Sequence, residues 1–218
     1  MTYLNTINQR RCVTRFFPWI ITLLILFATT NLSADDTAPA PSDPVKAWNF
    51  VPEKSKLAFT GDYGGSSFDG EFGTFSAIIQ FDPAVPETGH FDVTVDITSV
   101  TTYNDDWDQV ISERDWFDSK NHPVSKYVTN SIKPLDNGGF SALGVLDLKG
   151  RKHDVELRFH WTEYPDGEVK IAGQARMLGA ANVNRTDFGI GEGSWTKDST
   201  VGFDVMVNVD LLLQPVTE

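Results

Sequence analysis

The chain has 218 residues, 18 basic and 30 acidic side chains for a net charge of −12, and a single cysteine. That length is enough for one domain with a sizeable core. The acidic balance argues against nucleic acid and anionic membrane as partners, because both need a basic footprint. Cys12, standing alone, can form no internal disulfide.

Residues 1–34 read as a secretory signal. Arg10, Arg11 and Arg15 precede an apolar run from Phe16 to Ala28, and Asn31-Leu32-Ser33-Ala34 supplies a small-residue exit. The run is shorter than the roughly 18 residues expected of a membrane-spanning helix; a retained N-terminal anchor is the alternative. Removing the segment deletes three arginines and no acid, taking the net charge from −12 to −15. The expected location is therefore the periplasm or the exterior, with no stable membrane span after cleavage. Residues 35–46, rich in Pro, Ala and Asp, cannot bury a core and read as a disordered linker. The domain is expected over residues 47–218.

From Trp48 the pattern becomes that of strands. They are expected at about Lys56–Tyr63, Phe68–Phe81, Gly89–Ile97, Lys126–Ile132, Phe140–Leu148, His153–Trp161, Val169–Leu178, Val183–Phe188 and Val201–Leu213. Turn residues such as Gly64-Gly65, Asp82-Pro83, Lys149-Gly150 and Asp166-Gly167 separate them. Side chains on a strand alternate between two faces. In the last strand Phe203, Val205, Val207, Val209, Leu211 and Leu213 share one face, opposite Asp204, Asn208 and Asp210. Phe91, Val93, Val95 and Ile97 repeat the pattern, as do Val155, Leu157, Phe159 and Trp161. Many one-sided short strands predict an all-β fold, an antiparallel barrel or sandwich.

One segment differs. Asn104-Asp105-Asp106 supplies capping oxygens and dipole-matched acids, and Trp107, Val110, Ile111 and Phe117 recur at helical spacing before Pro123. A short helix here could close a barrel mouth, with Trp107, Trp116 and Phe117 turned inward or simply packed against the wall.

Catalytic and metal-binding patterns do not assemble. His90, His122, His153 and His160 lack metal-ligand spacing, and Gly189, Gly191 and Gly193 follow no parallel strand and open no helix. Neither a nucleophile elbow nor a nucleophile–base–oxyanion set is present. No catalytic, metal or cofactor residues are assigned.

Read in order, several stretches resemble the YceI-like family of exported lipid-binding β-barrels. Gly70-Glu71-Phe72 with Ile79-Gln80-Phe81-Asp82-Pro83 is similar to its "G-x-F … F-D-P" region. Val95-Asp96-Ile97-Thr98-Ser99-Val100 resembles the strand before the helix, and Arg114-Asp115-Trp116-Phe117-Asp118 with His122-Pro123 the helix end and "Y-P" exit. Gly144 to Gly150 is similar to the "G-x-L-T-L-x-G" hairpin, with Asp147 in place of threonine. Arg185-Thr186-Asp187-Phe188-Gly189 matches the closing "R-x-D-F-G". The similarity spans Ala47 to Gln214. It implies a lipocalin-like antiparallel barrel of about eight strands, with one short helix near a mouth. It also implies an elongated apolar cavity for an isoprenoid chain, with quinone-type cargo one family expectation.

A barrel of about eight strands either fills its interior with side chains or holds one small ligand. Small residues at strand positions, among them Ala58, Ser76, Ala77, Ala142, Ala172, Gly173 and Ala175, favour a cavity. The inward ligand-binding candidates are Phe59, Phe75, Ile79, Phe81, Val93, Val95, Leu146, Leu148, Phe159, Val205 and Val207. Arg185 and Asp187 are expected to pair at the closing bend, a head-group role being the alternative. The expected function is an exported carrier or reservoir for a long isoprenoid-like lipid, which is also the expected partner; a homodimer is admitted. Two alternatives stand: a hydrophobic-chamber enzyme using His153, Asp187 or Tyr164, and a fully packed, ligand-free envelope protein.

Overall fold

The computed structural model describes residues 45–163 and 173–216. The signal-like segment, most of the expected linker, Ala172 and Tyr164 lie outside these residues. Among the described residues the elements in chain order are β1 (Ala47–Phe50), β2 (Lys56–Tyr63), β3 (Ser66–Phe72), β4 (Phe75–Gln80), β5 (His90–Asp96) and β6 (Val100–Thr101), then α1 (Asp105–Ser112). After the helix come β7 (Val124–Pro134), β8 (Phe140–Leu148), β9 (Arg151–Glu163), β10 (Ala175–Asn184) and β11 (Asp204–Pro215). No helix among the described residues is long and apolar enough to cross a membrane.

The strands close into a ring. β1 and β2 form one stave broken at the 3-10 turn Pro52–Lys54, and β3 and β4 form the next, broken at Gly73-Thr74. Counting each broken pair once gives eight antiparallel staves: β1/β2, β3/β4, β5, β7, β8, β9, β10 and β11. β11 completes the ring by pairing with β1 (Asn49↔Gln214) and with β2 (Val207↔Phe59). β6 continues past β5 and pairs with β3.

Alternation sets the register. Ala77↔Val93 and Ile79↔Phe91 put apolar partners on the inner face of β4–β5, with Asp92 and Thr94 outside. A slip of one residue would invert every side chain. One end of the interior is filled by rings. Phe81, fully buried, lies 4.9 to 6.0 Å from the ring centres of Phe91, Phe140, Phe159 and Trp161. Trp48 Nε1–H donates to the Phe81 carbonyl at 2.8 Å, tying β1 to this plug.

Four strand expectations are corrected. Phe68–Phe81 is two strands, because the backbone breaks at Gly73-Thr74. Val169–Leu178 and Val183–Phe188 give way to the single β10; the early part of the first lies outside the described residues. β10 runs through Gly179-Ala180-Ala181 because ten successive pairs, from Ala175↔Leu213 to Asn184↔Asp204, hold it to β11. Residues Arg185–Phe188 form a 3-10 turn, with Asn184 Oδ1 accepting from Thr186 N–H at 3.0 Å. β11 begins at Asp204, and Val201 makes only an isolated bridge to Tyr63.

Candidate functional site: an apolar cavity

Above the aromatic plug the barrel encloses a cavity of about 190 Å³. Nine of the eleven candidate residues line it: Phe59, Phe75, Ile79, Val93, Val95, Leu146, Leu148, Val205 and Val207. Phe81 and Phe159 do not. Both point inward but sit in the plug, 0% and 2% exposed, where they close the barrel's end and leave no room for a ligand. Of the small residues read as making space, Ala77 lines the cavity, whereas Ala58 and Ser76 do not. Gly70 does make room: a Cβ there would strike the Phe59 ring.

The lining includes residues that apolar alternation does not reveal. On β7 the inward set is Ser125, Tyr127 and Thr129 before the bulge and Ile132 after it, and the apolar Val124 and Val128 share the opposite parity. Each inward hydroxyl is engaged by backbone. Ser125 Oγ–H donates to Asp147 O at 2.8 Å, Tyr127 O–H to Ala142 O at 2.8 Å, and Thr129 Oγ1 accepts from Phe91 N–H at 2.9 Å. Such pairing is what allows a polar group to be buried. Burial pushes the Tyr127 phenol well above its ordinary range, with the nearby Glu156 charge acting the same way and a backbone hydrogen bond from Leu157 opposing both.

The end opposite the plug is covered by α1, the loop after it and the segment following β10. Asn104 Oδ1 accepts from Asp106 and Trp107 N–H, starting the helix as expected. Asp108 fastens it to β6, accepting from Thr101 Oγ1 at 2.8 Å and from Thr102 N–H and Oγ1 at 2.6 Å each. Partial burial works against the Asp108 carboxylate, but the Thr102 and Thr101 hydrogen bonds outweigh it and hold its pKa below the usual carboxylate range. Ile111, Trp116 and Phe117 reach the cavity. Trp107 does not: it is 38% exposed and packs outside, 5.4 Å from both the Tyr63 and Phe68 rings.

Arg185 anchors this cover. It is 2% exposed and lines the cavity, and all five of its donors are taken by carbonyls. Nε donates to Gly202 O, Nη1 to Ile190 and Gly191 O, and Nη2 to Trp195 and Val201 O, at 2.6 to 3.2 Å. Gly191 adopts φ +78, and a Cβ there would overlap the guanidinium. The expected Arg185–Asp187 pair is thus corrected: Asp187 is exposed, and backbone rather than carboxylate satisfies the cation. Lys149 Nζ joins the two cover segments by donating to Arg114 O at 2.8 Å and Gly189 O at 2.7 Å. Gly191 and Glu192 N–H both donate to Asp115 O at 2.8 Å.

The interior offers few free polar groups. Its hydroxyls and its cation are already hydrogen-bonded, and among the described residues only the indole N–H groups of Trp116 and Trp161 are buried without a partner. His153 is exposed and packs edge-on against Phe188 at 5.1 Å, outside the cavity lining. Among the described residues no three His, Cys, Asp or Glu side chains converge as metal ligands would.

The sequence matches the YceI-like domain over residues 48–213. Relatives include a UPF0312 protein of Shewanella denitrificans, 25% identical over 155 residues that cover 70% of this chain and 80% of that protein. Another, from Pseudomonas savastanoi pv. phaseolicola, is 28% identical over 145 residues, 65% and 74% of the two chains. Among solved structures, Burkholderia cenocepacia BcnA is similar with a TM-score of 0.69 at 24% identity, covering 75% of this chain and 99% of that one. The Campylobacter jejuni YceI protein gives 0.57 at 27% identity, over 70% and 87%. A polyisoprenoid binding domain from Saccharophagus degradans shares the fold at 0.56 and 13% identity, over 78% and 98%. The eight-staved ring, the helix over its mouth and this match over most of the chain's length together place the chain in the YceI-like family.

Proposed function

We propose that this protein holds one long, apolar lipid chain of isoprenoid type inside its barrel, as a carrier or reservoir. The observation that carries the reading is the cavity, walled by carbon, with the polar groups of Ser125, Tyr127 and Arg185 turned to backbone. A hollow of that kind stays dry and favours an apolar guest. The Saccharophagus degradans domain with the same fold is a polyisoprenoid binding domain, which supports this class of guest. Burying about 500 Å² of such a chain yields roughly 12 kcal/mol gross at about 25 cal/mol per Å². Ordering the chain removes about half or more, leaving an affinity of micromolar to nanomolar order. A quinone is one cargo consistent with a chain-binding interior, and the signal-like residues 1–34 support a periplasmic setting.

The enzyme alternative has no observation in its favour. His153 and Asp187 are exposed outside the cavity lining, and Tyr164 is not among the described residues. The test is organic extraction of protein purified from its native envelope, followed by mass spectrometry. One prenyl lipid per barrel is expected. Protein that carries no lipid and takes up none from prenyl-containing vesicles would overturn the proposal.

A further inference from the structure

The barrel wall has a gap. Between the first two staves, pairing stops at Leu57↔Phe72 and resumes at Trp48↔Ile79. Both strands break in between, one at the Pro52–Lys54 turn and the other at Gly73-Thr74. Each broken segment is held from its far side. Val51 N–H donates to Leu212 O and Leu212 N–H to Ser55 Oγ, while Gly73 N–H donates to Ser99 O. A second hollow of about 270 Å³ occupies the gap. Its walls are polar on one side, with Ser55, Lys56, Glu71 and Thr74, and aromatic on the other. Phe72 and Phe75 line both this hollow and the main cavity. The partition is therefore two phenyl rings. Phe75 is only half-buried and stacks on Phe50 at 4.9 Å with planes 16° apart.

The chemistry of the hollow is specific. Lys56 Nζ pairs with Glu71 at 2.7 Å and donates to Tyr103 Oη at 3.3 Å, so its charge is offset and an anion gains little there. Lys56 correspondingly holds the Glu71 carboxyl below the usual carboxylate range. Ser55 Oγ accepts a hydrogen bond from Leu212 N–H, and Ser55 and Thr74 are the two hydroxyl-bearing residues of the hollow's lining. Both ends of the barrel are covered. The plug end is packed with aromatic rings, and the helix end is fastened through Arg185 and Lys149.

We infer that this gap is a head-group subsite. An amphiphile with a neutral, hydrogen-bond-accepting head lodges that head between Ser55 and Thr74, while its tail passes the Phe72–Phe75 partition into the cavity. This rests on the lipid-binding reading above and adds where the polar end lies and what chemistry selects it.

Farnesol and farnesene share a chain length and differ in the head hydroxyl, so they separate the two ideas. Each is titrated against full-length protein by displacement of N-phenylnaphthylamine. Farnesol is expected to bind about five- to tenfold tighter, the worth of one or two net hydrogen bonds. Thr74→Val should reduce that preference and leave farnesene affinity unchanged. A Thr74→Cys variant adds an independent readout: farnesol, and not farnesene, should slow its reaction with N-ethylmaleimide. Equal affinities for the two ligands, with no protection of the cysteine, overturn the subsite and leave the cavity reading standing. Failure of both ligands to displace the dye overturns the cavity reading itself, and the subsite with it.

Discussion

The guanidinium carbon of Arg185 lies 5.6 Å from the centre of the Trp116 ring, and the Phe203 ring flanks it at 5.4 Å. The cation that gathers five loop carbonyls is thus also the support behind an indole that lines the cavity. Fastening the cover and shaping the interior fall to the same side chain.

Replacing Arg185 should therefore be costly. Arg185→Met leaves the carbonyls of Ile190, Gly191, Trp195, Val201 and Gly202 without their donor. A loss of about 3–5 kcal/mol is expected in urea denaturation. Arg185→Lys should recover only part of it, since an ammonium has three donors and no planar fork. A loss near zero for the methionine variant would contradict the anchoring role.

Filling the cavity should separate binding from folding. Ala77, which lines it and pairs with Val93, has space in front of its methyl group. Ala77→Phe is expected to weaken dye and prenyl-lipid binding at least about tenfold while costing no more than the ~1–3 kcal/mol of a tight core insertion. Unchanged affinity in a folded variant would put the ligand elsewhere.

The plug should set chain length. Phe159 is 2% exposed and packs on Phe81, Phe91 and Phe140. Phe159→Ala is expected to cost about 3–5 kcal/mol and to open the floor of the cavity. The preferred prenyl chain should lengthen in a competition series run from short to long alcohols; an unshifted preference would mean that the floor does not limit depth.

Tyr127 gives a pH signature. Its folded pKa is raised, so the stability it contributes is complete below the unfolded value of about 10 and declines as pH climbs above it. In an ultraviolet titration of native protein, wild type and Tyr127→Phe should ionise the same number of phenols up to about pH 11. In urea the wild type should ionise one more. Ionisation of Tyr127 near pH 10 in the native state would refute its burial.

Asp108 works with the opposite sign. Its pKa is depressed, so its contribution is present above the ordinary carboxylate range and is lost as pH falls through the folded value. Amide exchange in Asp105–Ser112 should quicken on acidification in wild type. In Asp108→Asn it should already be fast at neutral pH and change less; identical acid profiles would sink the anchor.

How far the chain could be read follows from what each signal encodes. Alternation on β5 and β11 fixed which residues face inward, because period two maps directly onto the two faces of a stave. It carries nothing about depth along the barrel axis, so Phe81 and Phe159 read like Phe59 and Val93. β7 hid its inner face because its hydroxyls are compensated by backbone groups on β8 and β5, partners that have no side-chain letter. Arg185 was obscured for the same reason: a carbonyl leaves no trace in composition, whereas Asp187 lay temptingly two residues away. The break at Gly73-Thr74 was marked only by one glycine, too weak a cue beside the strong apolar run on either side.

β11 touches β10, β1 and β2 at once. During translation the first and last staves are separated by nearly the whole domain, so the ring cannot be sealed until Asp204–Pro215 has emerged from the ribosome. Assembly dominated by such distant partners is slow. Until then the inner faces of the other staves stand open to solvent, and any helper that shields the nascent domain must act in that interval.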